Sequence, residues 1–227
     1  MTRAPLDLLV SSAVVPVVRT RSDELAARAV EWLEDAGYTT FEITLSVPGA
    51  LDLIRMLRRR DGFYVGAGTV LTAAQAEACL AAGAQFIVSP ILAEELLPPC
   101  AEAEVPVLLS GLTPSEVHRA WTLGASGVKV FPAASMGGPV HVKALRSVFP
   151  EIPLFPTGGV NQGNLNAYFD AGADGLGFGG DLINDARLEG ALASEWIARA
   201  RAYLETARLH PRLNASRAVI PREQDGP

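Results

Sequence analysis

Gly127-Val128-Lys129-Val130-Phe131-Pro132 reads as a short buried β-strand, apolar on both sides, with one lysine in its middle. Strands apolar on both faces belong to parallel sheets covered on either side by helices. Upstream the same kind of run recurs as Pro106-Val107-Leu108-Leu109, Gln85-Phe86-Ile87-Val88, Phe63-Tyr64-Val65-Gly66-Ala67, Thr40-Phe41-Glu42-Ile43-Thr44-Leu45 and Val14-Val15-Pro16-Val17-Val18. Downstream it recurs as Leu154-Phe155-Pro156 and in residues 174–178. Helical periodicity fills the intervals: residues 23–36, 49–60, 73–82, 93–104, 113–123, 140–149, a stretch capped by Asn161 or Asn164 and ending at Ala171, and 188–209. Gly37 and Gly83 stop helices, Thr72 caps one, and Pro114 sits in a first turn. The turn from helix to strand repeats as Ala82-Gly83-Ala84, Gly124-Ala125 and Ala171-Gly172-Ala173. Eight apolar strands, each followed by a helix, predict an α/β fold, a single (β/α)8 TIM barrel. The barrel covers residues 1–210, with a short N-terminal helix over 6–12 and a mobile C-terminal tail over 211–227, where Arg, Asn and Pro scatter without period.

The bulk numbers narrow the partners. With 227 residues and a net charge of −6, the chain is a poor match for nucleic acid or an anionic membrane surface. No basic stretch leads into an apolar run at the N-terminus, and no run of about 20 apolar residues occurs, so a cytoplasmic protein is expected. Cys79 and Cys100 read as reduced filler. His118, His141 and His210 lie far apart, with no metal-ligand spacing, and no metal or other cofactor is expected.

Chemistry in such barrels sits at the carboxyl ends of the strands. Lys129 meets that criterion on the sixth strand. It is one of only two lysines, beside Lys143, among 19 basic residues of which 17 are arginine. Arginine stays charged, whereas a desolvated lysine can form a Schiff base with a carbonyl. The alternative is a lysine snorkelling from a strand end. Glu42 stands between Phe41 and Ile43 on the second strand, and a carboxylate there needs a task or a partner. It reads either as a general acid/base or as half of a buried salt bridge to Arg19. Lys143 follows a Gly-Gly-Pro loop on a helix and reads as a surface residue.

Two glycine clusters, Thr157-Gly158-Gly159-Val160-Asn161 and Gly177-Phe178-Gly179-Gly180, follow the seventh and eighth strands, where barrels hold phosphate on backbone N–H groups. The run Val65-Gly66-Ala67-Gly68-Thr69 lacks the third glycine and the βαβ context of a dinucleotide motif.

Six segments in order carry a resemblance: Val15-Pro16-Val17-Val18-Arg19, Phe41-Glu42-Ile43-Thr44-Leu45, Val65-Gly66-Ala67-Gly68-Thr69-Val70, Ile87-Val88-Ser89-Pro90, Lys129-Val130-Phe131-Pro132-Ala133 and Pro156-Thr157-Gly158-Gly159-Val160. Together they resemble the class I 2-keto-3-deoxy-6-phosphogluconate (KDPG) and 4-hydroxy-2-oxoglutarate (KHG) aldolases, a family that includes the phosphogalactonate (KDPGal) enzymes. The resemblance implies a metal-independent lyase and a homotrimer acting on a small 2-keto acid. It implies Lys129 as the Schiff-base residue and Glu42 as acid/base. It implies Arg19, Thr69, Pro90, Phe131 and Thr157 around the substrate, and Gly158, Gly159, Gly179 and Gly180 at its phosphate. Two positions depart from the family pattern. Ser46-Val47-Pro48 stands where some members carry an arginine, and Gly180-Asp181 where many carry a serine. Outside the aldolase reading, a non-catalytic barrel that binds phosphorylated metabolites and a metal-free isomerase fit the same text.

Overall fold

In the computed structural model, which describes residues 5–213, the eight apolar runs are parallel strands. They are β1 (Val14–Val18), β2 (Thr40–Thr44), β3 (Tyr64–Gly68), β4 (Ile87–Val88), β5 (Val107–Ser110), β6 (Gly127–Val130), β7 (Leu154–Pro156) and β8 (Leu176–Phe178). Their order, β7-β6-β5-β4-β3-β2-β1-β8, closes on itself through the parallel bridge between Thr157 and Gly177. The TIM barrel expected from the sequence is the fold.

Among the described residues ten α-helices accompany the strands: α1 (Asp7–Ser12), α2 (Asp23–Asp35), α3 (Ala50–Arg58), α4 (Ala73–Ala81), α5 (Leu97–Glu102), α6 (Pro114–Leu123), α7 (Pro139–Val148), α8 (Leu165–Asp170), α9 (Asp185–Gly190) and α10 (Ala193–Leu209). Their starts follow from capping chemistry. Ser22 accepts from the Leu25 N–H, and Thr72 with Gln75 and Thr113 with Glu116 form capping boxes. No helix among the described residues is long and apolar enough to cross a membrane.

Two apolar layers result. The larger lies between the outside of the barrel and the helices and includes Val128 and Val130. The smaller fills the barrel's interior with Val15, Phe86, Val88, Leu108 and Phe155, and Leu9 of α1 closes it from below. Alternation along β6 therefore sends Val128 and Val130 outward and Gly127 and Lys129 inward. Gly66 and Gly68 of β3 explain the glycine run that resembles a dinucleotide motif. A Cβ on Gly66 would fall 2.3 Å from the Phe86 ring, and one on Gly68 would fall 2.1 Å from Glu42 Oε1. Those glycines make room inside the barrel.

Three expectations need correction, and a fourth is narrowed. The helix expected over 93–104 begins as a 3-10 turn, Glu94–Leu96, before α5, because Pro98 and Pro99 are tolerated only in a first α-helical turn. The helix expected over 188–209 is broken into α9 and α10, with Ala191 and Leu192 extended after Gly190, a poor helix former. Of the two asparagines expected to begin the eighth helix, Asn164 stands at the N-cap position of α8, which starts at Leu165, whereas the Asn161 side-chain oxygen accepts from Gly163 N–H in the turn before it. Residues 211–213 of the expected tail are folded: Leu213 is buried, and Arg212 donates to the carbonyls of Phe169 and Ala173. The rest of that expected tail, 214–227, lies outside the described residues.

Candidate active site

Lys129 and Glu42 reach the same point inside the barrel from opposite strands. Register explains it: Glu42 pairs with Val17 of β1 and Gly66 of β3, while Lys129 pairs with Ser110 of β5 and Phe155 of β7. Both are inward positions, and both residues are 4% exposed. Lys129 Nζ stands 3.5 Å from Glu42 Oε1, a long contact for a buried pair. Of the two readings of Glu42, the alternative salt bridge to Arg19 does not form. Arg19 instead donates to Thr69 Oγ1 at 2.8 Å, because it emerges beyond the end of β1, above the layer that holds Glu42. The backbone of Lys129 is held by Ser110 Oγ and the Gly111 N–H, which both donate to its carbonyl at 3.1 and 3.0 Å. A cavity of about 20 Å3 lies against both Lys129 and Glu42, walled by Val15, Phe86 and Leu108.

Above the pair opens a cavity of about 910 Å3 at the carboxyl ends of the strands. Ten of the eleven site residues expected from the sequence line it: Lys129, Arg19, Thr69, Pro90, Phe131, Thr157, Gly158, Gly159, Gly179 and Gly180. Glu42 is the exception, one layer deeper. The Phe131 ring centroid is 5.4 Å from Lys129 Nζ, within cation–π range, and the ring also lies against Gly158. Thr69 has a φ of 60°, which a β-branched residue adopts only under strain. That conformation places its hydroxyl under Arg19. Ser46 also lines the cavity, its hydroxyl 2.9 Å from that of Thr44.

The two glycine turns form the cavity's other end. Gly158 and Gly159 have φ of 90° and 83°, a region open to glycine but costly for other residues. Side-chain amides tie back the carbonyls: Asn164 and Asn161 donate to Gly159 O, and Asn184 donates to Gly180 O. Asp181, which follows the second turn, does not stand alone there. Arg199 donates to it at 2.9 Å, Arg187 lies at 3.9 Å, and Tyr203 also donates to it. Partial burial raises its pKa, but the Tyr203 and Arg199 hydrogen bonds and the arginine charges outweigh that and hold the carboxyl below its usual range. Burial pushes the Tyr203 phenol up to about 12, so it stays a donor. Tyr203, Arg199, Arg21 and Asn184 gave no sign in the sequence, since each sits among ordinary helix or loop text. Among the described residues no group of three or more His, Cys, Asp or Glu could hold a metal ion. Lys143 is exposed on α7, away from the site.

The family model for KDPG and KHG aldolases matches residues 7–195. The chain belongs to the KDPG and KHG aldolase family. It is 37% identical over 167 residues to the 2-dehydro-3-deoxy-phosphogluconate aldolase of Pseudomonas aeruginosa, covering 73% of this chain and 76% of that one. It is 32% identical over 200 residues to the 2-dehydro-3-deoxy-6-phosphogalactonate aldolase of Escherichia coli K12, covering 85% and 95%. Among solved structures, the KDPG aldolase of Legionella pneumophila, with pyruvate captured at low pH as a covalent carbinolamine intermediate, superposes with a TM-score of 0.75 at 29% identity, covering 87% and 95%. As a member of this aldolase family, the protein is a lyase.

Proposed function

We propose that this aldolase works through a Schiff base on Lys129, without a metal, and cleaves KDPG to pyruvate and glyceraldehyde 3-phosphate. The observation that carries the proposal is the buried Lys129–Glu42 pair, 3.5 Å apart on the floor of the cavity of about 910 Å3 at the strand ends. The carbinolamine captured in the Legionella relative is the intermediate such a lysine would form.

Passing the ammonium proton to Glu42 leaves two neutral groups, which eases the desolvation of the pair. The free amine attacks the substrate's C2 ketone to give a carbinolamine. Glu42 returns the proton to the departing hydroxyl, water leaves, and the iminium forms as an electron sink. Glu42, again a carboxylate, takes the C4 hydroxyl proton while the C3–C4 bonding pair moves into the iminium. The aldehyde departs, the pyruvate enamine receives Glu42's proton at C3, and water hydrolyses the resulting imine. Thr69, Pro90, Phe131 and Thr157 shape the pyruvate end, with Arg19 above them. The N–H groups of Gly158, Gly159, Gly179 and Gly180 receive the phosphate.

The test is covalent trapping. Incubation with pyruvate and borohydride followed by peptide mass spectrometry should place the adduct on Lys129. An adduct on Lys143, or none, removes the mechanism and returns the non-catalytic barrel. A second reading keeps the chemistry and changes the substrate to KDPGal or KHG. The 32% identity to the phosphogalactonate aldolase of Escherichia coli, over 95% of its length, favours the KDPGal form of it. Homotrimeric assembly and a cytoplasmic location go with the same proposal and rest on the family resemblance and the acidic composition.

A further inference from the structure

We propose that Arg21 recognises the anionic far end of the substrate in this chain, and that Glu189 holds it in reserve until the anion arrives. The aldolase reading above supplies the substrate class; the assignment of the residue rests on its placement and its partners.

Arg21 lies on the loop between β1 and α2 and lines the same cavity as Lys129. Its backbone N–H donates to Asp185 Oδ1 at 3.3 Å, and its guanidinium pairs with Glu189. Both acids belong to α9, the helix that follows the Gly179-Gly180 turn. Arg21 is thereby fixed beside that turn. Arg19, only two residues earlier, is turned toward Thr69 at the end of β3. The loop thus carries two arginines that serve different parts of one cavity.

Charge at this end decides which cation can move. Arg21, Arg187 and Arg199 stand against Asp181, Asp185 and Glu189, so the rim is balanced before any anion enters. A phosphate dianion would upset that balance unless one carboxylate withdrew. Asp181 cannot withdraw cheaply, because Arg199 and Tyr203 both donate to it and it is partly buried. The Arg21–Glu189 pair is different: its side chains are 61% and 45% exposed. An ion pair that open to water contributes little to stability. Glu189 can turn into solvent, and the planar guanidinium then offers two parallel N–H donors to phosphate oxygens, which suits that anion better than a lone ammonium would. The exchange supplies a charged contact at the turn where Gly180 offers no hydroxyl.

Steady-state kinetics on KDPG and KHG, beside calorimetric binding of inorganic phosphate, test the exchange. Arg21→Ala should lower kcat/KM on KDPG about 10–100-fold, mostly through KM, and lower it far less on KHG. It should weaken inorganic phosphate at least about tenfold, while pyruvate and borohydride still label Lys129. Arg21→Lys keeps the charge without the fork and should fall between. Glu189→Gln frees the arginine, so KM for KDPG and the phosphate dissociation constant should both drop. Equal losses on the two substrates, or phosphate binding unmoved by Arg21→Ala, would overturn the proposal and leave Arg21 as a tether for α9. Unlabelled Lys129 in the unmodified protein would instead count against the Schiff-base mechanism, and the phosphate measurement still decides the role of Arg21.

Discussion

Lys129 and Glu42 each end in a place that neither could occupy alone. An amine and a carboxylate at 4% exposure are tolerable together, whereas removing one partner of such a pair typically costs about 3–5 kcal/mol. Lys129→Arg keeps the charge but cannot form an imine and overfills the buried site, so it should abolish cleavage and lower stability, while Lys143→Arg, on an exposed helix face, should keep both. Activity and urea midpoints on the two variants check this. Glu42→Gln keeps the shape and removes the proton acceptor, so cleavage should slow about 10²–10⁴-fold with pyruvate still trapped on Lys129. A near-normal rate would reduce Glu42 to a structural partner of the lysine. Gly68→Ala is the sharper probe of placement. Its Cβ would meet Glu42 Oε1 at 2.1 Å, so the carboxylate must move. The variant should lose about 1–3 kcal/mol of stability from overpacking and most of its activity. A fully active Gly68→Ala enzyme would show that Glu42 does not need its present position. Both candidate catalytic residues were legible in the sequence, because a charge inside an apolar strand is costly and so demands a reason. Gly68 was visible only as part of a spurious motif, because its neighbour Glu42, on the adjacent strand, is 26 residues away in the chain.

Among the elements, the C-terminal ones departed most from expectation. Leu213 at 3% exposure and Arg212 on the carbonyls of Phe169 and Ala173 fasten the chain past α10 to the turn after α8. Ending the chain after His210 should therefore lower stability by about 2 kcal/mol or more, whereas ending it after Leu213 leaves those contacts intact. Comparing denaturation midpoints of the two truncations decides the matter. The packing of α9 and α10 around Asp181 has a signature in pH. Its carboxyl sits below the usual range when folded, so its stabilising effect is fully present above the unfolded value of about 3.9 and is lost as pH falls through the lower folded value. Asp181→Asn should be less stable than the unmodified protein at neutral pH, with the gap closing in acid. A gap independent of pH would show that the asparagine disturbs packing rather than charge. None of this was readable along the chain, since Pro211, Arg212 and Leu213 have no period and Asp181 meets its partners only through α9 and α10.

At the scale of the whole molecule, the mouth of the barrel joins a floor of chemistry to a rim of recognition. If the floor works through an imine on Lys129, as proposed, chelators should leave activity unchanged. On that reading the rim decides which keto acid the imine is built from. Phosphate binding at the glycine turns should give KDPG or its galactonate epimer a kcat/KM at least about tenfold above KHG, a margin of roughly 1.4 kcal/mol. Equal turnover of the unphosphorylated keto acid would mean that the turns serve only to close tight loops. Light scattering should return a trimer if the assembly follows the family resemblance.

The barrel was legible along the chain, because eight apolar strands separated by capped helices have one economical way to bury both faces of a parallel sheet. The sequence also pointed to Lys129 and Glu42, since desolvating a charge is expensive wherever the chain goes. Which charges meet depends on how the barrel closes. Closing the barrel brought β2 opposite β6 and set Glu42 against Lys129 rather than Arg19. It also brought α9 beside the loop after β1, pairing Arg21 with Glu189 across 168 residues of chain. Exposed ion pairs of that kind leave no trace in local periodicity, because their energy is small and their geometry is set by the elements that carry them.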